Sequence, residues 1–378
     1  MNNLEIVNGD DLRKFIKLPW YIYRNYPKWV PPLVAEMRRK LDPKRNPVFD
    51  YAQVKLFGVC DENRQMIGRI AVIFNPIHCE IHHEFVGFFG LFECINSIGV
   101  AERLISLASG YLRKFKCTHM IGPVNFTTNE ESGLLVQGYQ ESPMLMCNYS
   151  PPYYADLLTA CGAQKTMDLL SYRGEIDHVF PPKYARVIER VSSNNAVTVV
   201  ALNRHNMSEK MPTLQEIFNS SFRDVWGFVP LSLPEMEAMG RSMAFFLEDE
   251  LSWIAEYKKE AVGFILALPD MYEVLKDLGG HLFPFGIFKL LIKRRHIKGV
   301  RVIVLCVLPK YRSLGIETLL IYKVRSRMIT AGYERAELSV INENNMKMRN
   351  VLERLGFKPI KRYRIYRVPI SEHLDEEK

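Results

Sequence analysis

Paired cysteines are missing from this chain. Its seven cysteines, Cys60, Cys79, Cys94, Cys117, Cys147, Cys161 and Cys306, are odd in number, widely spaced and never form Cys-x-x-Cys. That excludes a disulfide framework and a zinc site, and it predicts a reducing, cytoplasmic setting. No His/Asp/Glu spacing suggests metal ligands either, so no metal is expected. Charge-free apolar runs fall short of the ~18 residues a membrane helix needs, and no basic-then-apolar signal opens the chain, so neither spanning nor secretion is expected. Aromatic-plus-basic RNA motifs and basic helices at groove-reading spacing are also absent, which removes nucleic acid from the expected partners.

What is present is core material. With 378 residues, 48% of them hydrophobic and 24% charged, the chain can fill two packed domains, and only 371–378 reads as a frayed tail.

The densest signal lies at 302–315, VIVLCVLPKYRSLG. Six apolar, mostly β-branched residues run into Pro309, a basic turn with Lys310 and Arg312, and Gly315, after which 316–330 has helical character. A strand, a tight turn and a helix start present several backbone N–H groups where the helix dipole favours an anion such as a pyrophosphate. An ordinary strand-to-helix turn fits the same residues. Beyond it, Leu319, Leu320, Val324 and Met328 fall at helical spacing and Gly332 supplies a C-cap. A strand at 336–341, an Asn-rich turn into a short helix ending Leu355-Gly356-Phe357, and an alternating strand at 362–368 follow.

This order, together with Arg312-Ser313-Leu314-Gly315-Ile316-Glu317, resembles the GNAT superfamily of N-acyltransferases, whose acyl-coenzyme A loop reads Arg/Gln-x-x-Gly-x-Gly/Ala. The resemblance covers about 197–370. It departs from the pattern at Glu317, where a small residue is usual, and at Leu352, where the family often places a Tyr that protonates the departing thiolate. It implies acyl-coenzyme A as donor and a small-molecule amine as acceptor. The pyrophosphate would lie on Arg312, Ser313, Leu314, Gly315, Ile316 and Glu317, and the thioester on the backbone near Cys306 and Val307. Asn342 and Asn345 border the same site, although Asn residues at such a turn serve as caps first.

The chain also repeats itself. LLTACGAQKTMDLLSYR at 157–173 aligns with VLERLGFKPIKRYRIYR at 351–367, pairing Gly162 with Gly356 and Tyr172 with Tyr366, and 67–72 aligns with 262–267. The expected fold class is therefore α/β with a mixed sheet, as two tandem GNAT-like domains: 1–175, a linker at 176–196, and 197–378. The first copy lacks the Arg-x-x-Gly spacing at 94–99 and is not expected to hold a pyrophosphate.

Each copy carries an insertion, 123–154 in the first and 270–298 in the second. Loops this long are usually functional. Candidate bases for deprotonating an amine are Glu93, Glu130 and Asp270. Asn125, Tyr153 and Tyr154 offer hydrogen bonds to a polar acceptor, and Phe285 an apolar contact to an acyl chain. The acceptor is expected between the two insertions.

A net charge of +8 calls for an acidic partner, met by coenzyme A or an anionic membrane surface. The stretch 282–298, LFPFGIFKLLIKRRHIK, has five Lys or Arg residues and no acidic one. On a helical wheel Phe285, Ile287, Phe288, Leu291 and Ile292 share a face. Two readings fit: peripheral contact with the inner membrane face, or a lid packed on the second domain. The larger resemblance is to the tandem GNAT group of bacterial acyltransferase-like proteins, some linked to lipid-type N-acylation. A non-catalytic ligand-binding or membrane-surface protein on the same fold is the alternative.

Overall fold

Strands such as MIGRIAVIF (66–74) and VGFFGLFEC (86–94) are apolar on both faces and are buried almost throughout, as strands covered on both sides must be. The computed structural model describes residues 1–6, 9–176, 181–282 and 286–370. Phe285 and the tail 371–378 lie outside the described residues. The chain divides into unit 1, Met1–Leu169 with Leu275–Gly286 and Lys361–Lys378, and unit 2, Leu170–Val274 with Ile287–Ile360. The division is thus more than one cut in sequence.

Unit 1 contains β1 (Asn2–Ile6), α1 (Gly9–Ile22), α2 (Val34–Lys40), β2 (Gln53–Cys60), β3 (Met66–Phe74), α3 (Pro76–His82), β4 (Val86–Cys94), α4 (Ile98–Arg113), β5 (His119–Gly122), β6 (Leu134–Gln137), α5 (Tyr154–Ala160) and the first half of β7 (Gln164–Glu175). Strands β1 to β4 pair in order and antiparallel, whereas β4 and β5 are parallel, joined by α4. A parallel pair needs such a crossover. The last strand of the chain, β13 (Lys358–Pro369), gives residues 361–369 to unit 1, where they pair with β5 and β6.

Unit 2 begins with 170–175 of β7. It continues through α6 (Pro182–Ser192), β8 (Val197–Leu202), α7 (Met207–Phe222), α8 (Leu233–Ala244), β9 (Ser252–Tyr257), β10 (Glu260–Pro269), α9 (Tyr272–Leu275, its last residue in unit 1), α10 (Gly286–Lys293, its first residue in unit 1), β11 (Gly299–Val307), α11 (Ile316–Ala331), β12 (Arg335–Asn342) and α12 (Met346–Arg354). The same scheme recurs: β8 to β11 pair antiparallel in sequence, and α11 carries the chain to β12, parallel to β11. The helices α5 and α12 both end in a left-handed glycine, Gly162 at φ +82° and Gly356 at φ +83°. The spacing reading of α11 holds, with Leu319, Leu320, Val324 and Met328 all buried and Gly332 as C-cap. The segment expected as a linker holds α6, a helix of unit 2 whose Ile188 and Val191 are buried.

Candidate active site

In unit 2, β11 and β12 pair only from Gly299↔Arg335 to Val302↔Leu338. Both strands run on, to Val307 and Asn342, without pairing further with each other. Parallel neighbours that part in this way leave a wedge whose facing backbone groups are free of that ladder. Cys306 and Val307 lie at the end of β11, paired on its other side to Phe264 and Gly263. Burial pushes the Cys306 thiol up to about 12, so it is a packing residue and not a nucleophile.

Above the wedge, Pro309–Leu314 forms a single 3₁₀ segment and Gly315 starts α11 at φ +83°. As N-cap, Gly315 brings no side chain to the first turn, where Thr318 N donates to Gly315 O at 3.1 Å. A Cβ at this position would meet Val187 Cγ1 at 2.6 Å, so α6 lies directly on the turn. Arg312, the expected phosphate ligand, donates instead to main-chain carbonyls, through Nε to Val307 O at 3.1 Å and Nη2 to Ser221 O at 2.8 Å. It therefore shapes the turn. The guanidinium of Arg190 on α6 comes within 4.0 Å of the Gly315 Cβ position, a positive group that the motif did not disclose. Ser313 is exposed and Leu314 partly buried, while Ile316 is fully buried. Burial raises the Glu317 carboxyl above its ordinary value, against the pull of Arg312. Asn342 accepts from Asn344 N at 2.8 Å, and Asn345 from Met348 N at 3.2 Å. Asn345 is the N-cap of α12, and Asn342 makes an Asx turn at the end of β12.

Alongside α11 is a cavity of about 290 Å³. Its floor is Ile265, Val302, Ala336 and Leu338 of the sheet, its walls are Ile321, Val324 and Met328 of α11 and Leu352 and Phe357 after it, and its charged members are Glu175, Arg325 and Arg354.

Unit 1 treats the equivalent wedge differently. Strands β4 and β5 pair from Val86↔His119 to Phe88↔Ile121 and then part. The chain after β5 fills the gap: Val124 N donates to Phe89 O at 2.7 Å, and Leu91 N to Asn125 Oδ1 at 2.9 Å. A Cβ on Gly90 would stand 2.1 Å from Val124 O, so only glycine admits this approach. Leu91 sits at φ +47° within a register shift of β4, and the Asn125 side chain holds it there.

Glu93, Tyr153 and Tyr154 lie together, but their polar groups are engaged within unit 1. Tyr154 is fully buried and donates to Glu93 Oε2 at 2.7 Å, while Tyr153 donates to Cys94 O at 2.8 Å. Burial raises the Glu93 carboxyl, and Arg69, 3.5 Å away, pulls it back. Asn125 also donates to Glu131 and Asn148. Glu130 and Glu131 each lie 2.6 Å from Lys40 Nζ, so Glu130 belongs to a partly buried ion cluster. Burial works against the Lys40 ammonium, but the two carboxylates outweigh it and raise its pKa. Asp270, in unit 2, accepts from Tyr272 N at 3.2 Å and stabilises the turn after β10. Among the described residues no group of three or more His, Cys, Asp or Glu could hold a metal.

The profile of the Acetyltransferase (GNAT) family matches residues 211–357. Over 95% of its length the chain is 34% identical to Protein YghO of Escherichia coli K12, covering 93% of that protein. The chain belongs to the GNAT family. It is also 31% identical to the Bacterial ceramide synthase of Caulobacter vibrioides, over 94% of each chain. In fold it resembles a tandem GNAT protein from the clavulanic acid biosynthesis pathway, with a TM-score of 0.60, 12% identity and 99% of each chain covered. A GCN5-related N-acetyltransferase from Sphaerobacter thermophilus superposes with a TM-score of 0.54 at 12% identity, over 99% of this chain and 97% of that one. Two tandem GNAT-like α/β domains, as the repeat implied, are the architecture of this acyltransferase.

Sequence reasoning did not find Arg190, Lys40, Arg69 or the cavity. Arg190 lies over a hundred positions from the motif it serves, and a cavity is defined by what its walls fail to fill, which no residue pattern spells.

Proposed function

We propose that the chain is an N-acyltransferase that takes an acyl group from a coenzyme A thioester held by unit 2 and transfers it to an amine of lipid type. One observation carries this reading: the β11–β12 ladder stops at Val302↔Leu338 beneath a helix start with no side-chain cap, while the corresponding gap in unit 1 is filled by Val124 and Asn125. The residues fit the donor. The helix start at Gly315, with Arg190 beside it, suits a pyrophosphate, and the edge of β11 beyond the end of its ladder with β12 suits the amide-bearing arm and the thioester carbonyl. In the reaction the amine forms a C–N bond, the C–S bond breaks, and the proton leaving nitrogen ends on the thiol. Leu352 is buried in the cavity wall, so that position supplies no proton. Support for a lipid-type acceptor is the 31% identity to a protein named for ceramide synthesis.

The second-unit insertion adds a surface for this chemistry. On α10 Leu290 is buried, but Phe288, Leu291 and Ile292 are 64%, 53% and 69% exposed, next to Lys289 and Lys293. Three residues of the apolar face, Phe288, Leu291 and Ile292, therefore look outward, and the buried contact is made by Leu290, which lies outside that face. No described helix is long and apolar enough to cross a membrane. We read α10 as an interfacial helix that rests on the anionic cytoplasmic leaflet, where a lipid amine would be presented.

The deciding experiment incubates the purified protein with acyl-coenzyme A and a panel of amines, including long-chain amino alcohols, and follows thiol release with product mass. Amide product supports the reading. Coenzyme A binding without turnover on any amine would assign the chain to ligand binding instead.

A further inference from the structure

The cavity beside α11 starts where the wedge stops. Val302 and Leu338 are the last paired residues of β11 and β12, and both side chains line it. From there it follows α11 past Ile321 to Met328, about 9 to about 20 Å beyond the turn at Gly315 by helix rise. Its floor is built from strands whose backbone groups already pair with one another, so it has little to offer an amide. Ten of its sixteen lining residues are Ile, Val, Leu, Met or Phe, with Glu175, Arg325 and Arg354 as its charged members. Along that apolar stretch a polar arm would lose water without gaining backbone partners, whereas a hydrocarbon would not. The wedge above it has the opposite character, since the backbone of β11 and β12 there is no longer tied up in the ladder between them.

We propose that this cavity receives the hydrocarbon chain of the acyl donor, so that the protein selects its thioester by chain length. The inference rests on the reading of unit 2 as the donor site and adds to it where the tail goes. At about 290 Å³ the cavity is at the small end of ligand pockets, which suits a single chain and not a second ring-bearing molecule. The apolar cavity also differs in place from the 270–298 insertion, where Phe285 was expected to meet the acyl chain.

The test is calorimetric titration of the whole chain with coenzyme A, acetyl-coenzyme A and a series from butyryl- to lauroyl-coenzyme A. Affinity should climb by up to about fourfold per buried methylene and then level off when the cavity is full. Ala336→Phe, which fills the floor, should flatten that series to the acetyl value while leaving coenzyme A binding as it was. Because Ala336 is buried and its replacement could unfold the sheet, Ile321→Trp, at a half-exposed wall position, repeats the measurement with less risk to the core. Conversely, Ile321→Ala should move the plateau to longer chains, a gain that a damaged protein cannot produce. Equal affinity across the series in the native protein overturns the inference and leaves the donor reading intact. A uniform loss for coenzyme A and all its esters in the filled variants also overturns it, by assigning the cavity to the pantetheine arm. If no coenzyme A species binds, both readings fall.

Discussion

Val302 and Leu338 face each other as the last register pair between β11 and β12, and their side chains share the floor of the cavity beside α11. One pair thus closes a backbone ladder above and begins an apolar wall below. Opposite residues of a ladder point to the same face of the sheet, so the place where hydrogen bonding ends and the place where the cavity begins are fixed together.

Gly315→Ala should be costly in two ways. The residue would have to hold φ +83°, at about 1–2 kcal/mol, and its Cβ would press on Val187 Cγ1 at 2.6 Å. We expect a lower melting temperature together with a loss of coenzyme A affinity of tenfold or more. Wild-type affinity in a folded variant would remove the turn from the donor site.

Arg190→Ala should weaken coenzyme A binding about threefold to tenfold and flatten its salt dependence, because the guanidinium is exposed beside the turn and adds charge without supporting the fold. Arg312→Ala should behave differently. Losing two bonds to main-chain carbonyls loosens the turn, so both thermal stability and affinity should fall. Identical behaviour of the two variants would contradict this division.

Much of this was legible in the sequence. The strand-turn-helix at 302–331 announced itself through a β-branched run, a glycine and helical apolar spacing, and the structure places each element there. The repeat likewise gave the fold. Side-chain roles were harder, because Arg312, Asn125 and Glu130 have the right chemistry for ligand contact and the right chemistry for holding backbone or a partly buried lysine. Which use prevails depends on neighbours brought in from remote parts of the chain, such as Ser221 and Lys40, and on orientations that local pattern does not encode.

Asp168 should govern acid stability in unit 1. Its buried carboxylate receives Arg364 through Nε at 2.8 Å and Nη2 at 3.1 Å, Arg362 at 2.8 Å and Lys165 at 3.1 Å. Burial opposes ionisation, but the hydrogen bonds from Arg364, Arg362 and Lys165 win and hold the pKa at about 2, below its ordinary 3.8. A depressed carboxyl stabilises the fold above its unfolded value, and that contribution is lost as pH falls from about 4 through about 2. It amounts to about 2 kcal/mol at most, since the arginines are partly exposed. Denaturant titrations at pH 6 and pH 3 should show the native protein losing more stability than Asp168→Asn over that interval. Parallel losses would refute the assignment.

On α10, Leu291→Glu with Ile292→Glu should abolish flotation with vesicles containing anionic lipid and leave the melting temperature within a degree or two, since both side chains are exposed. A Lys289→Glu change should reduce flotation on anionic vesicles more than on neutral ones, at roughly 1 kcal/mol per basic charge near the surface. A large drop in stability in the double variant would mean that the face is covered in solution.

The Val124 carbonyl lodged against Gly90 carries a consequence for counting. A chain with two copies of one fold invites the assumption of two equivalent ligands, yet the first copy has turned its gap between parallel strands into main-chain hydrogen bonds. Reopening it would require moving backbone, which no single side-chain replacement achieves. Saturation of this protein should therefore come at one donor molecule per chain, and its binding isotherm should be hyperbolic, with no interaction between paired sites to bend it.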